Sequence, residues 1–258
     1  MITNGTLEVS FTPADFAALE ERDLSETVCI VFDVLRATTS MITALANGAR
    51  VIFPVAEISE ALLMRDQFPD LLLAGERDGV RILSELTGSV PFDLGNSPRE
   101  FTARKIKGRS IVMTTTNGTR ALRACSRAWT ILAASFLNLR ATADLLEREP
   151  PRHLALVCSG TFEQAAYEDV LAAGALCDLL WKNYDEASIA DSAQLALQIY
   201  KLERANLSDA MLRSRNGRRL LANAELCGDV PFSLQHDKFP IIAELGPDGG
   251  VRQRFPSV

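Results

Sequence analysis

Apolar residues along this chain fall in short runs separated by amphipathic stretches. The runs 27–34 (TVCIVFDV), 50–55 (RVIFPV), 71–75 (LLLAG), 109–116 (RSIVMTTT), 129–135 (WTILAAS) and 153–160 (HLALVCSG) have the length and composition of buried strands. Helical text lies between them, over 38–48 with a glycine C-cap, 59–68 opened by Ser59, and 98–105, 118–127, 138–148 and 165–183. From about 186 to 224 the pattern stays helical, and the tail PIIAELGPDGGVRQRF predicts a strand, a Gly-rich turn and a strand. Short strands alternating with helices predict an α/β fold in three layers, α/β/α. The sheet should be mostly parallel and covered on both faces, with a helix-rich C-terminal part and a short C-terminal β-hairpin. We expect a single unit over residues 1–258, with Pro150-Pro151 the best candidate for a subdomain boundary.

Composition narrows the chemistry. The chain has 258 residues, 47% of them apolar, and a formal net charge of −6, which argues against a broad nucleic-acid footprint. An anionic ligand must therefore be held by a local positive site or a metal, against an unfavourable overall field. No apolar run approaches a membrane span, and the N-terminus does not read as a signal peptide. Five scattered cysteines without a CxxC pair indicate reduced thiols and a cytoplasmic location. The two histidines, His153 and His236, have neither a GxSxG elbow nor an HExxH helix around them. Metal chemistry would fall to carboxylates, which favour hard ions such as Mg²⁺. A homo-oligomer is the general expectation for a soluble protein.

Polar residues cluster where the predicted strands end. Asp33 and Arg36 follow the first strong strand, Glu76 and Arg77 the third, Thr116, Asn117, Gly118 and Thr119 the fourth, and Ser159 and Gly160 the sixth. Ligands of open α/β sheets bind outside the carboxyl ends of strands. Each cluster also has a plain structural reading. Asp33 and Arg36 could pair locally, Glu76 and Arg77 could form a solvated turn, and the TTNGT stretch could be a turn with a helix cap. If they converge, the result is a pocket with two carboxylates, two guanidiniums and a Gly-rich amide cradle, suited to a phosphorylated small molecule with a divalent ion. In FDLGNSPRE, Ser97, Pro98 and Glu100 fit a capping box with proline in the first turn, whereas Asp93 and Asn96 are left unexplained by it. Glu168 and Asp169 either complement a helix dipole or supply metal ligands.

Taken together, DVLRATTS, GERDG, FDLGNSPRE, TTTNGT and CSG…YEDV resemble the 2-phosphosulfolactate phosphatase family, in its order, over about residues 28–240. The resemblance implies a three-layer α/β fold. It also implies a Mg²⁺-dependent phosphatase producing sulfolactate and inorganic phosphate, a step of coenzyme M biosynthesis in archaea. Asp33, Arg36, Gly75, Glu76, Arg77, Gly95, Asn96, Ser97, Pro98, Thr116, Asn117, Gly118, Thr119, Glu168 and Asp169 stand at family motif positions. SRNGRRL matches a further motif with Asn216 where histidine is usual, and the stretch between GERDG and FDLGNSP is longer than in the family pattern.

Among phosphatase mechanisms, the cysteine kind needs an arginine six positions after the nucleophile. Cys29 is followed there by Leu35 and Cys158 by Gln164. The DxD kind fails because Leu35 stands two positions after Asp33, where the second aspartate is needed. Asp33 could still form an aspartyl phosphate. The favoured expectation is a Mg²⁺-activated water, with Asp33 and Glu76 as leading ligands and Glu168 and Asp169 as second candidates. Arg36 and Arg77 would face the phosphoryl oxygens, and Asn96, Ser97, Ser159, Gly160 and the amides around 117–119 would hold the substrate. A sensor or pseudoenzyme that binds such a metabolite without turnover is the alternative.

Overall fold

A computed structural model describes residues 5–255 of the chain. The reading of the extreme N-terminus rests partly on residues 1–4, outside the described residues. Ten strands form one sheet among the described residues: β1 (Thr6–Ser10), β2 (Thr27–Phe32), β3 (Val51–Val55), β4 (Leu72–Arg77), β5 (Val80–Arg81), β6 (Ser110–Thr114), β7 (Thr130–Ala134), β8 (His153–Cys158), β9 (Ile242–Leu245) and β10 (Val251–Arg254). Their order is β1-β8-β2-β7-β9-β10-β3-β6-β4-β5. The pairs β1–β8, β8–β2, β2–β7, β3–β6 and β6–β4 are parallel.

Alternation along the central strands explains why both faces are covered. Val28, Ile30 and Phe32 of β2 enter one core cluster with the helix Tyr167–Leu180, while Cys29 and Val31 enter a second cluster with the helix Ala37–Ala46. Successive strand side chains point to opposite faces, so a strand buried on both sides reads as an unbroken apolar run. The sheet is therefore the middle layer of an α/β/α arrangement, as the alternation predicts.

The C-terminal hairpin occupies an unexpected place. β9 and β10 are not an edge: β9 pairs antiparallel with β7 and β10 pairs antiparallel with β3. The last strands thus join two parallel half-sheets into one. Pro150-Pro151 lies between the helix Leu139–Arg148 and β8, and β8 pairs with both β1 and β2. The expected helix over 98–105 is instead a 3₁₀ turn, Pro98–Glu100, and a separate short helix, Ala103–Ile106. The helical stretch after 186 divides into Asp191–Glu203, Leu207–Arg213 and Arg215–Leu221. Among the described residues no helix is long and apolar enough to cross a membrane.

Candidate active site

Four strands of the parallel half-sheets deliver polar residues to one pocket at their carboxyl ends. Its lining includes Asp33 after β2, Glu76 in the last turn of β4, Thr115, Thr116 and Asn117 after β6, and Gly160 and Thr161 after β8, together with Glu168 and Asp169. The cavity measures about 40 Å³.

The carboxylates are held by amides and hydroxyls. Asp33 Oδ1 accepts the Ala37 N–H at 3.0 Å, which fixes it at the start of the following helix. Glu76 accepts from the Gly79 N–H at 2.7 Å and from both the N–H and the hydroxyl of Thr116 at 3.0 Å. Asp169 Oδ1 accepts from the Val34 N–H at 2.8 Å, and its Oδ2 accepts from Ser159 Oγ and the Gly160 N–H. Glu168 accepts from Ser214 Oγ at 2.9 Å and Asn216 Nδ2 at 2.6 Å. Asn216 therefore supplies a second, neutral donor, which also reaches Thr161 Oγ1 at 2.8 Å.

All four carboxylates are buried. Burial pushes the Asp33 carboxyl up from 3.8 to about 6, with the nearby Glu76 and Glu168 charges adding to the rise and the Ala37 N–H opposing it. Burial likewise raises Glu168, and raises Asp169 further because Asp33 and Glu168 are close. Desolvated like charges without a matching cation explain these directions. Every acidic donor here is oxygen, which suits a hard ion. Among the described residues no three His, Cys, Asp or Glu form a ready coordination set. Mg²⁺ commonly takes one or two carboxylates and completes its shell with waters and substrate phosphate, so the donors present fit that ion.

The arginines are placed differently from expectation. Arg36 lines the pocket, but it is buried and its guanidinium is occupied: Nη1 donates to Asp229 Oδ2 at 2.8 Å and Nη2 to the Gly79 carbonyl at 2.6 Å. Arg77 lies outside the pocket lining and donates to the Glu76 and Ala56 carbonyls and to Thr114 Oγ1. Asp229, fully buried, also accepts from Ser97 Oγ at 2.6 Å and Arg99 Nε at 2.9 Å.

That network overturns the capping box. Ser97 makes no cap bond, because Asp229 takes its hydroxyl, and Glu100 reaches the Gly95 N–H at 3.1 Å. Asp93 serves Arg65 and the Leu73 N–H instead of the pocket. Gly118 and Thr119 stand just behind the lining. A Cβ on Gly118 would come 2.7 Å from Asp33 Oδ2, and Thr119 Oγ1 donates to the Thr115 carbonyl. Gly118 thus permits close approach of the loop to Asp33.

Sequence reasoning missed Asp229, Arg219, Thr161 and Phe162, and gave Thr115 and Asp78, inside TTNGT and GERDG, no role of their own. Asp229 stands in no motif, and Arg219 lies within SRNGRRL, where only Asn216 was singled out. Asp78 (φ 54°) and Phe162 (φ 51°) carry left-handed backbone in loops lining the pocket, and such strain gathers at functional sites. Two buried lining groups, Asn96 Oδ1 and Thr115 Oγ1, have no protein partner among the described residues.

Comparison with known proteins gives the same direction. The family model described as 2-phosphosulpholactate phosphatase matches residues 15–247. A protein of Caldanaerobacter subterraneus subsp. tengcongensis named "Probable 2-phosphosulfolactate phosphatase" is 36% identical over 89% of this chain and 92% of its own length. Similar proteins with the same name occur in Pseudothermotoga lettingae, 36% identical over 93% of this chain and 98% of theirs, and in Deinococcus radiodurans, 36% over 87% and 90%.

Two outcomes follow from this geometry. Asp229→Ala leaves Arg36 buried without its counter-charge and should cost about 3–5 kcal/mol in urea denaturation. Replacing both partners, Arg36→Met with Asp229→Leu, should recover part of that loss. The second outcome concerns pH. A carboxyl whose folded value is raised binds protons more tightly in the folded state, so stability falls as pH rises from 3.8 to about 6 and then levels. In EDTA, Asp33→Asn should therefore gain roughly 2–3 kcal/mol above pH 6 and little near pH 4. Equal stability of wild type and variant across that range would contradict the placement of Asp33.

Proposed function

The chain belongs to the 2-phosphosulpholactate phosphatase family and is a phosphoric monoester hydrolase; we propose that it hydrolyses 2-phosphosulfolactate to sulfolactate and inorganic phosphate, in the cytoplasm, with Mg²⁺ as cofactor. The observation that carries the metal part is the crowding of Asp33, Glu76, Glu168 and Asp169 in one buried pocket. A phosphate ester cannot approach such a field unless a cation compensates it. Asp33 and Glu76 would hold the ion, with Glu168 or Asp169 as a further ligand. When bound, the ion supplies charge stabilisation to phosphoryl oxygens and acidifies a coordinated water.

The protein's own groups divide the remaining work. Thr116 and the Gly79 N–H keep Glu76 oriented, and Ser159 with Gly160 does the same for Asp169. Without a cation, burial holds the Asp33 carboxyl up at about 6, so an ion bound by Asp33 would displace its proton. Thr115 Oγ1 and Asn96 Oδ1 are buried groups that a ligand or its water would satisfy. A thiol route is disfavoured, because burial and the neighbouring Asp169 push the Cys158 thiol well above its ordinary value.

Phosphate release from 2-phosphosulfolactate tests this reading. Activity should require Mg²⁺, vanish in EDTA and return on Mg²⁺ addition. Asp33→Asn should lose about 100-fold or more, whereas Cys158→Ser should stay within roughly tenfold, since a packing role leaves the chemistry in place. Undiminished turnover in excess EDTA would remove the metal, and a trapped phosphocysteine would overturn the carboxylate assignment.

A further inference from the structure

The pocket that recruits an anionic ester needs a cation free to meet it, and neither expected arginine is free. Arg36 is held by Asp229 and the Gly79 carbonyl, and Arg77 is turned to backbone carbonyls and Thr114. A third guanidinium lines the same pocket. Arg219 sits on the short helix Arg215–Leu221 and is exposed, and among the described residues it has neither a hydrogen bond nor an ion pair.

Its position is defined by its neighbours. A Cβ built on Gly79 would lie 3.6 Å from Arg219 Cζ and Nη2, so the guanidinium rests against the Gly79 peptide, whose carbonyl binds Arg36 and whose N–H binds Glu76. Arg219 and Glu168 line the same pocket. One helical turn earlier, Arg215 has only neutral partners, Gln164 Oε1 and the face of Phe162 with its ring centre at 5.8 Å. Residues at that spacing share a helix face, so the two guanidiniums stand on one side of the helix.

Size separates the roles of the two ends of the pocket. At about 40 Å³ the pocket has room for a few waters or one phosphoryl-sized group. The remaining anions of a multiply charged ester must lie toward the mouth, where an exposed lining residue stands. We propose that Arg219 is the specificity-determining residue that receives the non-reacting carboxylate or sulfonate of the substrate, by the planar two-point contact guanidinium makes with such oxyanions. This rests on the phosphatase reading above.

The test compares wild type with Arg219→Gln, a substitution at an exposed, unpartnered side chain whose fold is checked by circular dichroism and urea denaturation. The first readout is the preference for 2-phosphosulfolactate over ethyl phosphate, as the ratio of their kcat/KM values with Mg²⁺. That ratio should fall about 10- to 100-fold in the variant, mainly through KM for 2-phosphosulfolactate. The second readout is calorimetric binding of sulfolactate, which carries both spectator anions and no phosphate, and should weaken by a similar factor. An unchanged ratio with unchanged sulfolactate affinity would overturn the assignment, as would sulfolactate failing to bind wild type. If wild type releases phosphate from neither ester, the phosphatase reading falls, and the sulfolactate arm still decides the role of Arg219.

Discussion

The structure turns on the desolvation of several like charges in one place. Asp33, Glu76, Glu168 and Asp169 are buried at the carboxyl ends of parallel strands, and the protein tolerates this by giving Glu76, Glu168 and Asp169 two or more donors each and Asp33 the Ala37 N–H. Hydrogen bonds to these oxygens do not offset the loss of water, which is why burial drives the carboxyls of Asp33, Glu168 and Asp169 upward, with neighbouring acids adding to the rise at Asp33 and Asp169. A site under that electrostatic load is poised to take up positive charge. Under the Mg²⁺ reading proposed above, it receives an ion and, through the ion, an anion that the bare pocket would repel.

The C-terminal third completes what the strands begin. Asp229 fixes Arg36 and Ser97 from across the pocket, Asn216 and Ser214 orient Glu168, and Arg219 stands at the mouth. The terminal hairpin ties this region back into the sheet by pairing β9 with β7 and β10 with β3. A truncation of the hairpin would thus open the middle of the sheet, not trim an edge, with consequences for both halves of the site.

How much of this the sequence disclosed depended on how local the signal was. The strands over 27–32, 51–55, 110–114, 130–134 and 153–158 were legible because burial on both faces leaves unbroken apolar runs. Asp33, Glu76, Glu168 and Asp169 were legible because they stand at strand ends or a helix start. The partner of Arg36 was not, since Asp229 is 193 residues away and only the fold brings them together. Ser97 misled for the same reason: its local spacing satisfied a capping rule, and a distant carboxylate prevailed. The hairpin was recognisable as a hairpin, but its insertion between two half-sheets is a matter of topology that no local pattern encodes.

The central proposal, that the crowded carboxylates form a cation site whose charge state is set by burial, is tested most directly by titrating Mg²⁺ calorimetrically at pH 6 and pH 8 in buffers of different ionisation enthalpy. Metal binding to carboxyls that are partly protonated must release protons. The account predicts Mg²⁺ binding accompanied by proton release near pH 6, less release at pH 8, and weakened binding in Asp33→Asn. Binding with no proton release at pH 6, or undiminished in Asp33→Asn, would contradict it.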